Sequence, residues 1–331
     1  MIVTRTPFRI SFFGGGTDYP TWVQRHGGAV LATSIDKYCY ISCRYLPQFF
    51  DHKYRIVYSR IENVVDVAEI QHPAVKAVLG VYDCRDGLEI HHDGDLPARA
   101  GLGSSSSFTV GLINAIHALR GQYISKEELA SQAIHVEQEV IRENVGSQDQ
   151  VSAAFGGLNR IAFRQDGSFD VAPMVLPTER LSSLQSHLML CFTGLSRIAS
   201  EVAQSQIDNM DKRENELKHM RALVDQAIAV LQAPATPIEE FGKLLHESWM
   251  YKRRLSEKVS TSEIDELYEA ARGMGAIGGK LLGAGGGGFF LLFARPEQQQ
   301  AIRERFSRLV HVPFRFENGG SRVVLYQPSG F

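Results

Sequence analysis

The sequence lacks many things, and each absence removes a class of function. No run of about 18 apolar residues occurs in its 331 residues, so no membrane-spanning helix is expected. The opening Met1-Ile2-Val3-Thr4-Arg5-Thr6-Pro7 has no basic-then-apolar leader layout. Charge of one sign is not in excess: 35 Lys and Arg stand against 37 Asp and Glu, for a formal net charge of -2. That removes the basic surface expected of a nucleic-acid partner. Cysteine is scarce, with Cys39, Cys43, Cys84 and Cys191 and no Cys-x-x-Cys pair. Cys39 and Cys43 would share one face of a strand, and the set reads as buried thiols in a reducing cytosol. Tandem repeats, low-complexity tracts and long linkers are missing too. A cytoplasmic protein acting on small molecules is expected, with no membrane or nucleic-acid partner; a homodimer is left open.

What remains is ordinary globular composition, 44% hydrophobic and 22% charged, long enough for one large domain or two packed lobes. The first third reads as strands: Arg9 to Phe13, Ala29 to Leu46, Arg55 to Tyr58 and Leu88 to His91. From Ser104 to Leu119 the apolar residues Phe108, Leu112, Ile116 and Leu119 recur at helical spacing. Ser125 followed by Glu128 predicts the cap of a second helix running through Val140. Asp166-Gly167 marks a hairpin, and His187 to Phe192 another strand. Residues 196–273 read as helical with a break at Ala233 to Pro237. A strand from Phe289 to Phe293, a helix over Pro296 to Leu309 and a strand from Val323 to Tyr326 follow. The pattern is α+β in two lobes, 1–192 and 193–331.

Three glycine-rich loops carry the chemistry. The second, Asp95-Leu96-Pro97-Ala98-Arg99-Ala100-Gly101-Leu102-Gly103-Ser104-Ser105-Ser106-Ser107, lies between a strand and an amphipathic helix. Backbone that approaches closely, free N–H groups and the positive helix end together suit a polyphosphate. The hydroxyls suit phosphate oxygens or magnesium. A plain loop with serine caps has the same local look. Two familiar alternatives are absent: Gly-x4-Gly-Lys-Ser/Thr, and the His-Arg-Asp with Asp-Phe-Gly set of protein kinases. Gly283-Ala284-Gly285-Gly286-Gly287-Gly288 fits Gly-x-Gly-x-x-Gly but precedes a strand, the wrong order for a dinucleotide fold. In Phe13-Gly14-Gly15-Gly16-Thr17-Asp18-Tyr19, Asp18 is either a helix cap or a ligand. Glu137 and Asp149 are, on spacing alone, either surface acids or functional ones.

Taken together, these loops in this order resemble those of the GHMP small-molecule kinases. The family signature Pro-x3-Gly-Leu-Gly-Ser-Ser stands here as Pro97 to Ser105, the third motif as Lys280 to Gly288 and the first as Arg9 to Tyr19. The resemblance spans essentially the whole chain. It implies a two-lobed α+β fold with a ribosomal-S5-like N-terminal lobe and a ferredoxin-like C-terminal lobe. It also implies ATP as phosphoryl donor with Mg2+. Pro97, Arg99, Ala100, Gly101, Leu102, Gly103, Ser104, Ser105 and Ser106 would bind ATP, with Gly285 and Gly286 as a second wall. Ser104 or Ser105 and Glu137 would hold the metal. Asp149 is expected as catalytic acid of the sugar-kinase branch, which carries Gly-x-x-Asp-Gln, with Arg9 near the transferred phosphate. Gly15, Gly16, Thr17, Asp18 and Tyr19 are expected at the sugar. The first motif lacks the Glu-His pair of galactokinases and resembles instead the branch acting on D-glycero-D-manno-heptose 7-phosphate, with a place in nucleotide-heptose synthesis for surface polysaccharide. Fucokinase-like enzymes share part of the motif. A phosphosugar needs cations away from the magnesium, for which Arg197 and Lys252, or Arg253, are expected. A catalytically inactive sugar sensor would look similar.

Overall fold

The computed structural model describes residues 1–98, 100–195 and 199–328. Two long strands form its spine. Ile2–Phe13 alternates buried and half-buried positions at first, then is buried at every position from Thr6 onward. Gly28–Tyr45 pairs antiparallel with it along nearly its whole length. On its other side the long strand serves three partners in turn. Leu158–Phe163 pairs with its first part, Phe316–Glu317 with Ser34 and Ile35, and Leu88–Gly94 with its last part. The sheet continues through Tyr54–Val57, parallel to Leu88–Gly94, to Ile61–Val64. Helix Ser104–Leu119 packs across both long strands and is buried on most of its surface, as its Phe108, Leu112, Ile113 and Ile116 pattern requires.

A second sheet of four antiparallel strands is ordered Val310–His311, Leu188–Phe192, Phe289–Phe293, Gly278–Leu281. The third glycine loop, residues 282–288, is the connection between the last two of these strands. Helices Glu214–Gln232 and Glu239–Arg254 pack on each other and reach both sheets.

The expected boundary after Phe192 cuts neither sheet cleanly. Leu188–Phe192 belongs to the second sheet, while Phe316–Glu317 and Arg322–Tyr326 return to the first. One continuous core joins Ile10, Phe12 and Phe13 of the first strand to Phe241, Phe289 and Phe293 beyond the boundary. Other differences are local. The helix capped by Ser125 is α-helical only to His135, then widens into a π-helical stretch, Val136–Ile141, that ends at Arg142 with φ +61°. The helix from Pro296 stops at Arg305, because Val310–His311 is needed as an edge strand. Asp149 lies in the first turn of a short helix, Gln148–Phe155, that the sequence pattern did not announce.

Candidate active site

The three glycine loops meet at the end of the first long strand. The second loop passes so close to the third that a Cβ on Gly101 would stand 2.5 Å from the Leu282 carbonyl, and one on Gly283 2.5 Å from the Cα of Gly101. Both have positive φ, so glycine is demanded twice, by conformation and by space. The Phe289 N–H donates to the Ala100 carbonyl at 3.1 Å, closing the contact. The third loop is held from its far side as well: the Gly286 N–H donates to Val259 O and the Gly288 N–H to Leu195 O, both at 2.9 Å. Gly285 and Gly286 therefore sit on a fixed wall.

Helix Ser104–Leu119 starts from Gly103 in a left-handed conformation, with no side chain capping it. Its first N–H groups and positive dipole end face the loop, the arrangement that binds anions. Pro97 is exposed at the loop's entrance, and Leu102 is buried beneath it. Arg99 lies outside the described residues.

Arg9 and Asp149 come together under this loop. The guanidinium donates from Nε to Oδ1 and from Nη2 to Oδ2 of Asp149, each at 2.7 Å, and from Nη1 to the Gly101 carbonyl at 2.7 Å. Arg9 is buried, while the Asp149 side chain keeps 22% of its surface open. A planar fork on a carboxylate fixes both groups in rotation as well as distance.

Asp18, expected at the sugar, is held by backbone N–H groups. It is buried, and its carboxylate accepts from the Gly16 N–H at 3.0 Å and the Gln148 N–H at 3.2 Å. Its carbonyl accepts from the Ser147 N–H at 3.1 Å. Asp18 thus ties the first glycine turn to the start of the helix that carries Asp149. Burial, reinforced by nearby Asp149, raises its carboxyl above the usual range. Gly146 makes this possible: a Cβ there would fall 1.9 Å from Asp18 Oδ2. Thr17 is also turned inward, its hydroxyl donating to Gly14 O at 2.8 Å, and Tyr19 packs with Trp22, Leu217 and Met220. Gly15 is half-buried beside the Gln148 side chain, and Gly16 lies against Leu217.

Glu137 is buried on the π-helical stretch. Its Oε2 accepts from Ser106 Oγ at 2.8 Å and from the Gln150 amide, while Oε1 is buried without a hydrogen-bond partner. Burial pushes the carboxyl up to about 7 against the pull of the Thr109, Ser106 and Gln150 side chains. The serine that bonds it is Ser106, expected only at ATP; of the two expected at the metal, Ser105 faces solvent and Ser104 is half-buried. An unpartnered buried carboxylate oxygen next to loop hydroxyls fits a hard cation with oxygen ligands.

Lys252, expected at the sugar phosphate, is turned away from solvent. It is buried, and its amine donates to Leu281 O at 3.0 Å and to Gly283 O. Arg253 is ion-paired with Asp265 at 2.6 Å. Arg197 lies outside the described residues. Sequence reasoning missed Gln150 on Glu137, although it stands in the motif that singled out Asp149. It also missed Lys280, whose buried amine donates to Phe12 O at 2.9 Å.

With this geometry in hand, comparison with known proteins is decisive. Residues 64–157 match the GHMP kinases N terminal domain, and residues 227–311 match GHMP kinases C terminal. A mevalonate kinase of Pyrococcus furiosus is 30% identical over 251 residues, covering 72% of this chain and 69% of that protein. The chain belongs to the GHMP kinases. Among its relatives, the D-glycero-alpha-D-manno-heptose 7-phosphate kinase of Campylobacter jejuni is 29% identical over 312 residues, covering 90% of this chain and 91% of that protein. The crystal structure of a D-glycero-D-manno-heptose 1-phosphate kinase from Bacteriodes thetaiotaomicron shares the fold, with a TM-score of 0.80, 20% identity and 98% coverage of both chains. The chain is thus a kinase of the GHMP family, with that family's mixed α/β fold. Among the described residues no helix is long and apolar enough to cross a membrane.

Proposed function

We propose that this GHMP kinase uses ATP and magnesium to phosphorylate the anomeric hydroxyl of D-glycero-D-manno-heptose 7-phosphate, giving the 1,7-bisphosphate. The observation that carries the catalytic part is the Arg9–Asp149 fork directly beneath the second glycine loop. The acceptor assignment rests on similarity to the heptose 7-phosphate kinase over nine-tenths of the chain.

Phosphoryl transfer needs positioning and charge stabilisation more than covalent help from the protein. The loop around Gly101 and Gly103 and the start of the Ser104–Leu119 helix hold the triphosphate by N–H groups. Asp149 holds the acceptor hydroxyl. As the hydroxyl oxygen bonds to the γ-phosphorus and the bond to the ADP oxygen breaks, the proton passes to an Asp149 oxygen. Arg9 anchors that carboxylate and places positive charge beside the transferring group. Glu137 with Ser106, and with Ser104 or Ser105, would hold magnesium, which neutralises phosphate charge when bound.

The test is a coupled ADP-release assay on heptose 7-phosphate, free heptose, mannose and fucose, each with the purified protein and magnesium-ATP. Efficiency should be greatest on the phosphosugar, with product phosphorylated at carbon 1. Equal or greater efficiency on fucose would replace this acceptor with an unphosphorylated sugar. No transfer to any of them, with ATP still bound, would support the inactive-sensor reading.

A further inference from the structure

Behind the third glycine loop lie two amines with no carboxylate at ion-pairing distance among the described residues. Lys252, on helix Glu239–Arg254, and Lys280, on strand Gly278–Leu281, are both buried. Their hydrogen bonds run to carbonyls only: Lys252 to Leu281 O and Gly283 O, Lys280 to Phe12 O. Carbonyl dipoles partly satisfy an ammonium but do not cancel its charge. Arg9 on the first strand acts on both as a like charge, and the two lysines also oppose each other. Asp18 at the first glycine turn is the acid whose field reaches both. It is buried, and Arg9 is already committed to Asp149.

Gly283 is the residue packed against Gly101 of the phosphate loop. A proton on Lys252 is therefore one carbonyl away from the wall where the triphosphate would lie. We propose that Lys252 is a positioning residue that fixes the third glycine loop through the Gly283 carbonyl and takes up a proton when the nucleotide polyanion enters, supplying counter-charge from beneath the loop. Burial first, and Arg9 second, bring its amine down to about 7, so the ligand-free protein at mildly alkaline pH holds it largely neutral. An incoming polyanion favours the charged form, and binding is then linked to proton uptake. The proposal rests on the kinase reading only in taking a nucleotide triphosphate as the cleft's ligand.

The experiment is titration calorimetry of the whole protein with magnesium and the non-hydrolysable adenylyl imidodiphosphate at about pH 8.5, in buffers of different ionisation enthalpy. The wild type should take up close to one proton per chain, and Lys252→Met should lose that uptake. In steady state, Lys252→Met should raise the KM for ATP about tenfold while lowering kcat by much less, the split expected of lost ground-state binding. A purely structural lysine would lower the amount of active protein without moving the proton count. If Lys252→Met does not fold, the wild-type count decides alone, and a count near zero overturns the proposal. Uptake retained in Lys252→Met would move the role to Lys280 or Asp18 and also overturns it. A parallel titration with heptose 7-phosphate separates the two anions: uptake with the sugar phosphate only would refute the nucleotide assignment. A wild type that binds the nucleotide without taking up a proton defeats this inference and leaves the kinase reading intact, whereas no nucleotide binding at all defeats both.

Discussion

Asp149 and Glu137 stand twelve positions apart in sequence and line the same loop, yet the protein treats their charges in opposite ways. Asp149 is gripped by both arms of the Arg9 fork and remains partly open to solvent. Glu137 is buried among a hydroxyl and an amide, with one oxygen unpartnered and its carboxyl pushed up to about 7. The first corner is complete as folded, its charge balanced from within the chain. The second is left for a proton or, on the proposed reading, a metal ion to balance. An acid that must be aimed before substrate binds is given an arginine to fix it; an acid left with an unpartnered oxygen is the one open to a metal.

The sharpest way to break this contrast is Asp149→Asn. Turnover should fall about 10²–10⁴-fold, the usual weight of a positioned proton acceptor, while nucleotide binding stays nearly intact. Single-turnover rates and nucleotide affinity measure the two parts, and turnover within threefold of wild type would remove Asp149 from the chemistry. Gly146→Ala probes the same corner from behind. Its new methyl would overlap Asp18 Oδ2 and so shift the helix start that aims Asp149. Misplacement on this scale costs about 10²-fold in kcat, with the KM for ATP little changed. An unaltered kcat would show that Asp18 does not set the aim.

In the Glu137 corner the effects should be smaller and of a different kind. Glu137→Gln should raise the half-saturating magnesium concentration about 10–100-fold, as loss of a metal-shell partner does. Superimposable magnesium titrations would exclude Glu137 from that shell. The smallest effect is on stability without metal. A carboxyl whose folded pKa lies above its unfolded value favours folding while protonated, and that contribution is lost as pH rises from about 4.5 through about 7. Melting in EDTA should therefore show wild type falling behind Glu137→Gln by about 2–5 °C over that window. Parallel curves would mean that Glu137 is not burdened by its burial.

The sequence made the long elements legible because their pattern is strong. Ser104–Leu119 and Gly28–Tyr45 appear within a residue of expectation, and the Ser125 cap accepts from the Glu128 N–H as its spacing predicts. Short elements held by tertiary contacts, such as Gln148–Phe155 and Phe316–Glu317, carry too little pattern of their own. Within the site, the sequence indicated which loops meet but not which way their side chains turn. Asp18 and Lys252 are polar residues of recognisable motifs, and spacing cannot distinguish a side chain aimed at ligand from one spent on backbone. The serine question had the same limit: four successive hydroxyls open one helix, and its rotation brings Ser106 to Glu137.

The return of the chain to its first sheet has a consequence for the order of folding. Arg322–Tyr326 zips onto Ile2–Arg5, Ser321 bonds Thr6 and Asn114, and the Ser321 N–H reaches Ala153 of the helix that bears Asp149. This segment is a clasp between stretches of chain more than 300 residues apart. The helix that bears Asp149 is braced only once these distant stretches have met, so the two sheets should form together in one cooperative step rather than one after the other.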